Sequence, residues 1–265
     1  MSVEEFKGIL IHNGERKEVL DQLTVEGPLQ ILVNGEAFSI TMRTPGNDLE
    51  LTRGLLFTED VLISTPKPFK YQVSSIDSDG VILATNVIAE KHELGPGIEK
   101  QRSLTSVSSC GICGQQNLDD IALAGEALHP DFKFDASLIE VMFDKMHEEQ
   151  TDFDKTGGCH ASAAFTYDGK LLAVHEDIGR HNAVDKVIGS LLLNSRLDQA
   201  ACILVSGRVS YEIISKAFKA GIPFLASVSA PSNMAVSMAQ DLGICLLAFC
   251  RGDYATAYSH TEFLK

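Results

Sequence analysis

The sequence predicts an α/β protein in two parts, a small N-terminal α+β domain and a larger domain on a mainly parallel sheet. Three observations carry this expectation. Residues 156–265 alternate short apolar runs with helical patterns, the mark of βαβ units. Residues 29–43, LQILVNGEAFSITMR, alternate apolar and polar side chains around Asn34-Gly35, a two-residue hairpin turn. Residues 92–118 are polar, rich in Gly, Ser and Gln, and break the chain between these regions. The expected boundaries are 1–105 for the small domain, 106–118 for a mobile loop and 119–265 for the larger domain.

Each element has a local reason. After the hairpin, Asn47 or Asp48 can cap a helix whose Leu49, Leu51, Leu55 and Leu56 share roughly one face. Pro66 and Pro68 then interrupt the chain, and FKYQVSSIDSDGVILAT reads as two strands about a Ser-Asp-Gly turn. ASLIEVMFDKMHEEQ, residues 136–150, is a helix. KLLAVHE is a strand, and HNAVDKVIGSLLLN is a helix with Val184, Val187, Ile188, Leu191 and Leu192 at core spacing. AACILVSG, IPFLASVS and ICLLAFC read as buried strands, with SYEIISKAFKAG and PSNMAVSMAQDLG as the helices between them.

Composition narrows the function. The chain has 265 residues, is 45% hydrophobic and carries a net charge of −14, so it can build a core but lacks the positive footprint of a nucleic-acid binder. No apolar run approaches the roughly 20 residues of a membrane helix, and the first twenty residues lack a secretory pattern. Six cysteines without such a pattern suggest a reducing, cytoplasmic setting rather than a disulfide framework.

Ligands of open α/β sheets sit beyond the carboxyl ends of the strands. Three such ends carry suggestive loops, at 206–210 (SGRVS), 227–233 (SVSAPSN) and 249–254 (FCRGDY). Ser206, Gly207, Arg208 and Ser229 belong to the first two, and Phe249, Cys250, Arg251, Gly252, Asp253 and Tyr254 form the third. Helix N-termini and the two arginines suit an anionic ligand. A fourth loop, HEDIGRHN at 175–182, packs two histidines, two acids and an arginine. GxGxxG and GxxxxGK[ST] are both absent.

The cysteines divide by setting. Cys202 and Cys245 lie in apolar strand runs and read as core, while Cys250 is as readily core as pocket. Cys159, after two glycines, is expected to start a helix, which would lower its thiol pKa. Cys110 and Cys113 lie in a polar, glycine-flanked stretch, SSCGICGQQN. A structural zinc site needs four ligands, yet no second CxxC exists, and the adjacent Cys159 and His160 rarely converge on one metal. A redox pair is physically reasonable, although thioredoxin-like motifs sit where a strand opens a helix. Sulfur carriage as a persulfide wants an accessible thiolate, a travelling loop and a second thiol, and the motif offers all three.

Ordered blocks along most of the chain resemble the FdhD family of formate dehydrogenase accessory sulfurtransferases: VNGEAFSITMRTPGNDLELTRGLLF, SVSSCGICG, TGGCHASA, EDIGRHNAVDK, SGRVSYEI, AGIPFLASVSAPSNMAV and FCRGDYATAYSH. The one departure, FTEDVL at 57–62, replaces an expected Glu-Gly turn. The resemblance implies a cytidine-deaminase-like larger domain, a homodimer, and sulfur received from a cysteine desulfurase. It further implies delivery to the molybdenum or tungsten of a bis-molybdopterin guanine dinucleotide cofactor bound for formate dehydrogenase. By the same likeness Cys110 is the persulfide carrier, Cys113 its helper, and 249–254 the cofactor stretch. Two rival readings are a zinc-dependent deaminase-like hydrolase and a cofactor chaperone without sulfur chemistry. The hydrolase needs P-C-x-x-C after an H-x-E helix, whereas this CxxC lacks the proline and precedes the αβ blocks, so no structural or catalytic metal is expected.

Overall fold

The computed structural model describes residues 2–63, 69–99 and 125–265. Cys110 and Cys113, together with the proposed 106–118 loop, lie outside the described residues. The chain opens with a two-stranded antiparallel ribbon, β1 (Val3–His12) and β2 (Glu15–Thr24). Asn13-Gly14 turns it, with φ of 51° and 86°. This is the same signal as at Asn34-Gly35.

The small sheet follows. It combines β3 (Gly27–Val33), β4 (Glu36–Arg43), β5 (Tyr71–Ile76) and β6 (Ile82–Val87) in the order β4-β3-β6-β5. Alternation places Leu29, Ile31 and Val33 on its inner face, where they pack with Leu51, Leu55 and Leu56 of helix α1 (Asp48–Thr58). Asn47 precedes α1 in a left-handed conformation and makes no side-chain cap bond.

The larger unit contains α2 (Leu138–Glu148), α3 (Thr151–Thr156), β7 (His160–Phe165), β8 (Leu171–Asp177), α4 (Arg180–Leu193) and β9 (Cys202–Val205). It continues through α5 (Tyr211–Lys219), β10 (Phe224–Ser227), α6 (Asn233–Leu242), β11 (Cys245–Arg251) and β12 (Tyr254–Ala257). The sheet order is β12-β11-β10-β9-β7-β8. The expected mainly parallel sheet is corrected here. Only the β9–β10 and β10–β11 pairings are parallel; β7 and β12 run against that centre, and β8 runs with it but pairs antiparallel with β7. The parallel centre is covered on both faces. One core holds Val184, Ile188, Ile213 and Leu246; the other holds Met142, Phe165, Phe224 and Leu247.

The two units are joined tightly where α1 crosses α4. A Cβ at Gly54 would lie 1.9 Å from the Asp185 carbonyl oxygen, and one at Gly189 would lie 1.9 Å from that of Glu50. Only glycine permits this approach of two helix backbones. Beside the crossing, Lys216 donates to both carboxylate oxygens of Asp185 at 2.8 Å and to Thr58 Oγ1 at 2.9 Å. Lys186 lies 2.8 Å from Asp177 Oδ2 and donates to the carbonyls of Thr44 and Glu176. Arg43, fully buried, is paired with Asp48 at 2.7 Å and capped by the carbonyls of Gly27 and Ile82. No helix among the described residues is long and apolar enough to cross a membrane.

Candidate functional site

Strand direction gathers the loops at one sheet edge. The parallel β9, β10 and β11 end there, and the antiparallel register brings the start of β7 and the end of β8 to the same edge, with His160 opposite Asp177. The loops are hydrogen-bonded to one another. Ser227 Oγ donates to the Gly207 carbonyl at 2.7 Å and accepts from Ser229 N–H. Phe249 N–H donates to the Ser229 carbonyl at 3.2 Å, while Val209 and Ser232 are stitched through backbone bonds to Ala230 and Val209. Ser206 Oγ accepts from Ala161 N–H.

The edge is rich in positive charge. A Cβ at Gly207 would meet the His160 ring at 3.1 Å and Arg180 Cβ at 3.5 Å, so these side chains crowd the bare backbone of that loop. Arg208 is exposed. Arg180 Nε is buried without a hydrogen-bond partner among the described residues. Burial, together with the charges of Arg180, His181 and Arg208, holds the His160 pKa below its usual value, against the opposing pull of Asp177. His181 Nε2 stands 2.9 Å from Glu212 Oε2 and 3.2 Å from Ser210 Oγ. Helices α4, α5 and α6 all begin at this edge, behind Gly179, Ser210 and Ser232. Their first N–H groups add positive potential there.

The third loop carries strain. Phe249 adopts φ 53° where the β11–β12 register shifts between Ala248 and Arg251. A left-handed backbone at a bulky residue is uncommon and costs about 1–3 kcal/mol. The kink exposes Phe249 and buries Cys250 among Cys245 and Leu247. Burial pushes the Cys250 thiol up to about 11, so it presents no thiolate near neutral pH. Arg251, Gly252, Asp253 and Tyr254 are all exposed on the hairpin.

Cys159 needs a correction. It does not start a helix; α3 ends at Thr156, and Cys159 leads into strand β7. Its Sγ donates to Glu176 Oε1 at 3.2 Å. Burial and that carboxylate push the thiol up to about 12, opposite to the expected lowering. His175 lies apart from the loop cluster, in a polar cavity of about 310 Å³ with Thr44, Asn47, Glu149 and Lys186. Burial and the Lys186 charge lower its pKa to about 4. Arg180, Ser210 and Glu212 were not singled out by sequence, although the crowded 175–182 loop and the cap position before α5 were visible signals. Among the described residues no group of three or more His, Cys, Asp and Glu is placed to hold a metal. Two His-x-Glu runs exist. His147 is exposed on the last turn of α2, and His260 is held by Glu262 and the Gln240 carbonyl.

Comparison with known proteins places this arrangement. The sulfur carrier protein FdhD of Sulfolobus acidocaldarius is 43% identical over 263 residues, covering 99% of this chain and 98% of that protein. Its counterpart in Streptomyces coelicolor is 39% identical, covering 98% and 94%. A crystal structure of a putative formate dehydrogenase accessory protein from Desulfotalea psychrophila matches with TM-score 0.78 at 22% identity, covering all of both chains, and so shares the fold. The model of the FdhD/NarQ family matches residues 24–265. With its converging loops and its length accounted for almost end to end by these relatives, the chain belongs to the FdhD/NarQ family.

Proposed function

We propose that this protein is a cytoplasmic sulfur carrier and persulfide-dependent sulfurtransferase. The observation that carries the reading is the near full-length match to proteins named sulfur carriers, in a chain that holds Cys110 and Cys113 as a glycine-flanked pair. Cys110 takes a sulfur atom from the persulfide of a cysteine desulfurase, leaving the donor as a thiolate. Attack of the Cys113 thiolate on the inner sulfur of Cys110 then forms a Cys110–Cys113 disulfide and releases the carried atom as hydrosulfide, the two thiols supplying both electrons. The acceptor is the metal of a bis-molybdopterin guanine dinucleotide, bound here as substrate on its way to formate dehydrogenase.

The strand-end edge supports that choice of substrate. Pyrophosphates suit the N–H groups at the starts of α5 and α6 and the guanidinium groups of Arg208 and Arg251. Ser206, Gly207 and Ser229 offer close backbone, and 249–254 offers the exposed Phe249 and Tyr254 rings for a base to stack on. The larger domain is read as cytidine-deaminase-like, and the protein as a homodimer presenting two such edges to the two nucleotide arms.

Intact-protein mass spectrometry after incubation with a cysteine desulfurase and cysteine tests the reading. A gain of one sulfur atom, reversed by reductant and absent in Cys110→Ala, is expected. No gain in the unaltered protein sinks sulfur carriage and leaves a cofactor chaperone.

A further inference from the structure

We propose that the β1–β2 ribbon is the surface through which two copies of this chain associate. The inference rests on the dimeric reading above and adds where the contact lies. Among the described residues the two strands pair only with each other. Their base is tied to α3, with Ser2 Oγ donating to Asp152 Oδ1 at 3.0 Å and Thr24 Oγ1 within 2.8 Å of Thr156 Oγ1. Beyond that base the ribbon carries Phe6, Ile9, Leu10, Ile11, Leu20 and Leu23, between 46% and 65% exposed. Singly exposed apolar side chains are ordinary, but a cluster on one two-stranded ribbon is not, because such a ribbon is marginal in water without something to pack on. The ribbon up to Leu23 also precedes the residues matched by the family model, which begin at 24.

The charge pattern selects a second copy as the occupant. Strand alternation and the pairing of Ile9 with Glu18 and Lys7 with Leu20 put Ile9, Ile11 and Leu20 on one face with Glu5, Lys7, Arg16 and Glu18. Two acids and two bases cancel on that face, within a chain of net charge −14. A face built for a basic or an acidic partner would carry a net sign. A neutral apolar face with both signs is self-complementary, since a two-fold axis brings the acids of one copy to the bases of the other. The opposite face holds Phe6, Leu10 and Leu23 with Glu4, Glu15 and Asp21 against Lys17, so it is net negative and is not the face that a second copy would match. At the area implied by side-chain burial energies, the three half-exposed side chains of the neutral face, Ile9, Ile11 and Leu20, offer roughly 150 Å² per chain. That is about a third of the apolar half of a standard interface of about 800 Å² per partner, the apolar centre of a contact whose rim is the charged residues of the same face.

Sedimentation equilibrium of the full chain tests this, using the unaltered protein, Ile9→Glu, Ile11→Glu and, as a control on α2, Val141→Glu. The expected result is a dimer for the unaltered protein and for Val141→Glu, with dimer affinity weakened at least 100-fold in each ribbon variant. Far-ultraviolet circular dichroism shows whether each variant is folded, and Ile11→Thr replaces any that is not. A monomer for the unaltered protein at micromolar concentration overturns both the dimeric reading and this surface. A dimer that every folded ribbon variant retains at unaltered affinity overturns the surface alone. Sulfur loading by mass spectrometry on the same variants is expected to be unchanged, which separates this result from any failure of sulfur carriage.

Discussion

The seam between the two units and the strand-end edge of the larger sheet use the same residue types to opposite ends. At the seam Lys216 meets Asp185 and Lys186 meets Asp177, both pairs deeply buried and both tied across it, through Thr58 and Thr44. Burial pushes the Asp185 carboxyl up while Lys216 opposes it, so the charge survives only as part of the pair. At the edge, Arg180 and Arg208 form no ion pair among the described residues, His160 is held towards its neutral form, and Phe249 stores backbone strain. The difference teaches how to separate structural charge from functional charge in one chain. Matched and buried charge holds the units together. Unmatched charge beside open backbone is what the proposed anion site requires.

Variants can break this contrast. The largest effects are expected at the seam. Lys216→Met leaves Asp185 buried and unpaired, and denaturant unfolding is expected to show a loss of about 3–5 kcal/mol, partly recovered in Lys216→Met/Asp185→Leu. Gly54→Ala forces α1 from α4 and is expected to cost about 1–3 kcal/mol through strain, with a matching fall in Tm. At the edge the readouts reverse. Arg208→Ala is expected to change stability by less than about 0.5 kcal/mol yet to weaken guanosine diphosphate binding at least tenfold by calorimetry, because it removes a charge-assisted contact and no packing. Should Arg208→Ala destabilise the fold as Lys216→Met does, the contrast fails.

A last prediction concerns pH. His175 titrates near 4 when folded, below its usual 6.5, so the unfolded chain binds a proton in that window and the folded one does not. Stability therefore falls as pH drops from 6.5 towards 4, and is unaffected by this group above 6.5. His175→Gln is expected to flatten that part of the pH–stability curve. An unchanged slope would place the responsible group elsewhere.

Much of the larger unit was legible because its period is strong. Val184, Val187, Ile188, Leu191 and Leu192 all fall in the core, and β9, β10 and β11 coincide with the apolar runs. Strand β7 was not legible. HASAAF carries small residues because α4 and the α2 side press on both faces of the sheet, and Ala163 and Ala164 are fully buried between them. Alanine reads as helix locally, and tertiary burial overrides that preference. The ribbon was missed although Asn13-Gly14 announced it, since its apolar residues alternate with charges on both faces and mark no single buried side.

By itself the sequence determined the mixed α/β class, the strand-end loops at 206–210, 227–233 and 249–254, and the cysteine pair at 110 and 113, because turns, periodicity and motif spacing are local properties. Tertiary structure alone decided that β7 and β12 run against the parallel centre while β8 runs with it, that His160 and Arg180 crowd Gly207, and that Cys159 is silenced by burial and by Glu176. Those facts depend on which distant segments meet. Strand direction and the electrostatic setting of a thiol are fixed by neighbours far away in the chain, and no window of residues contains them.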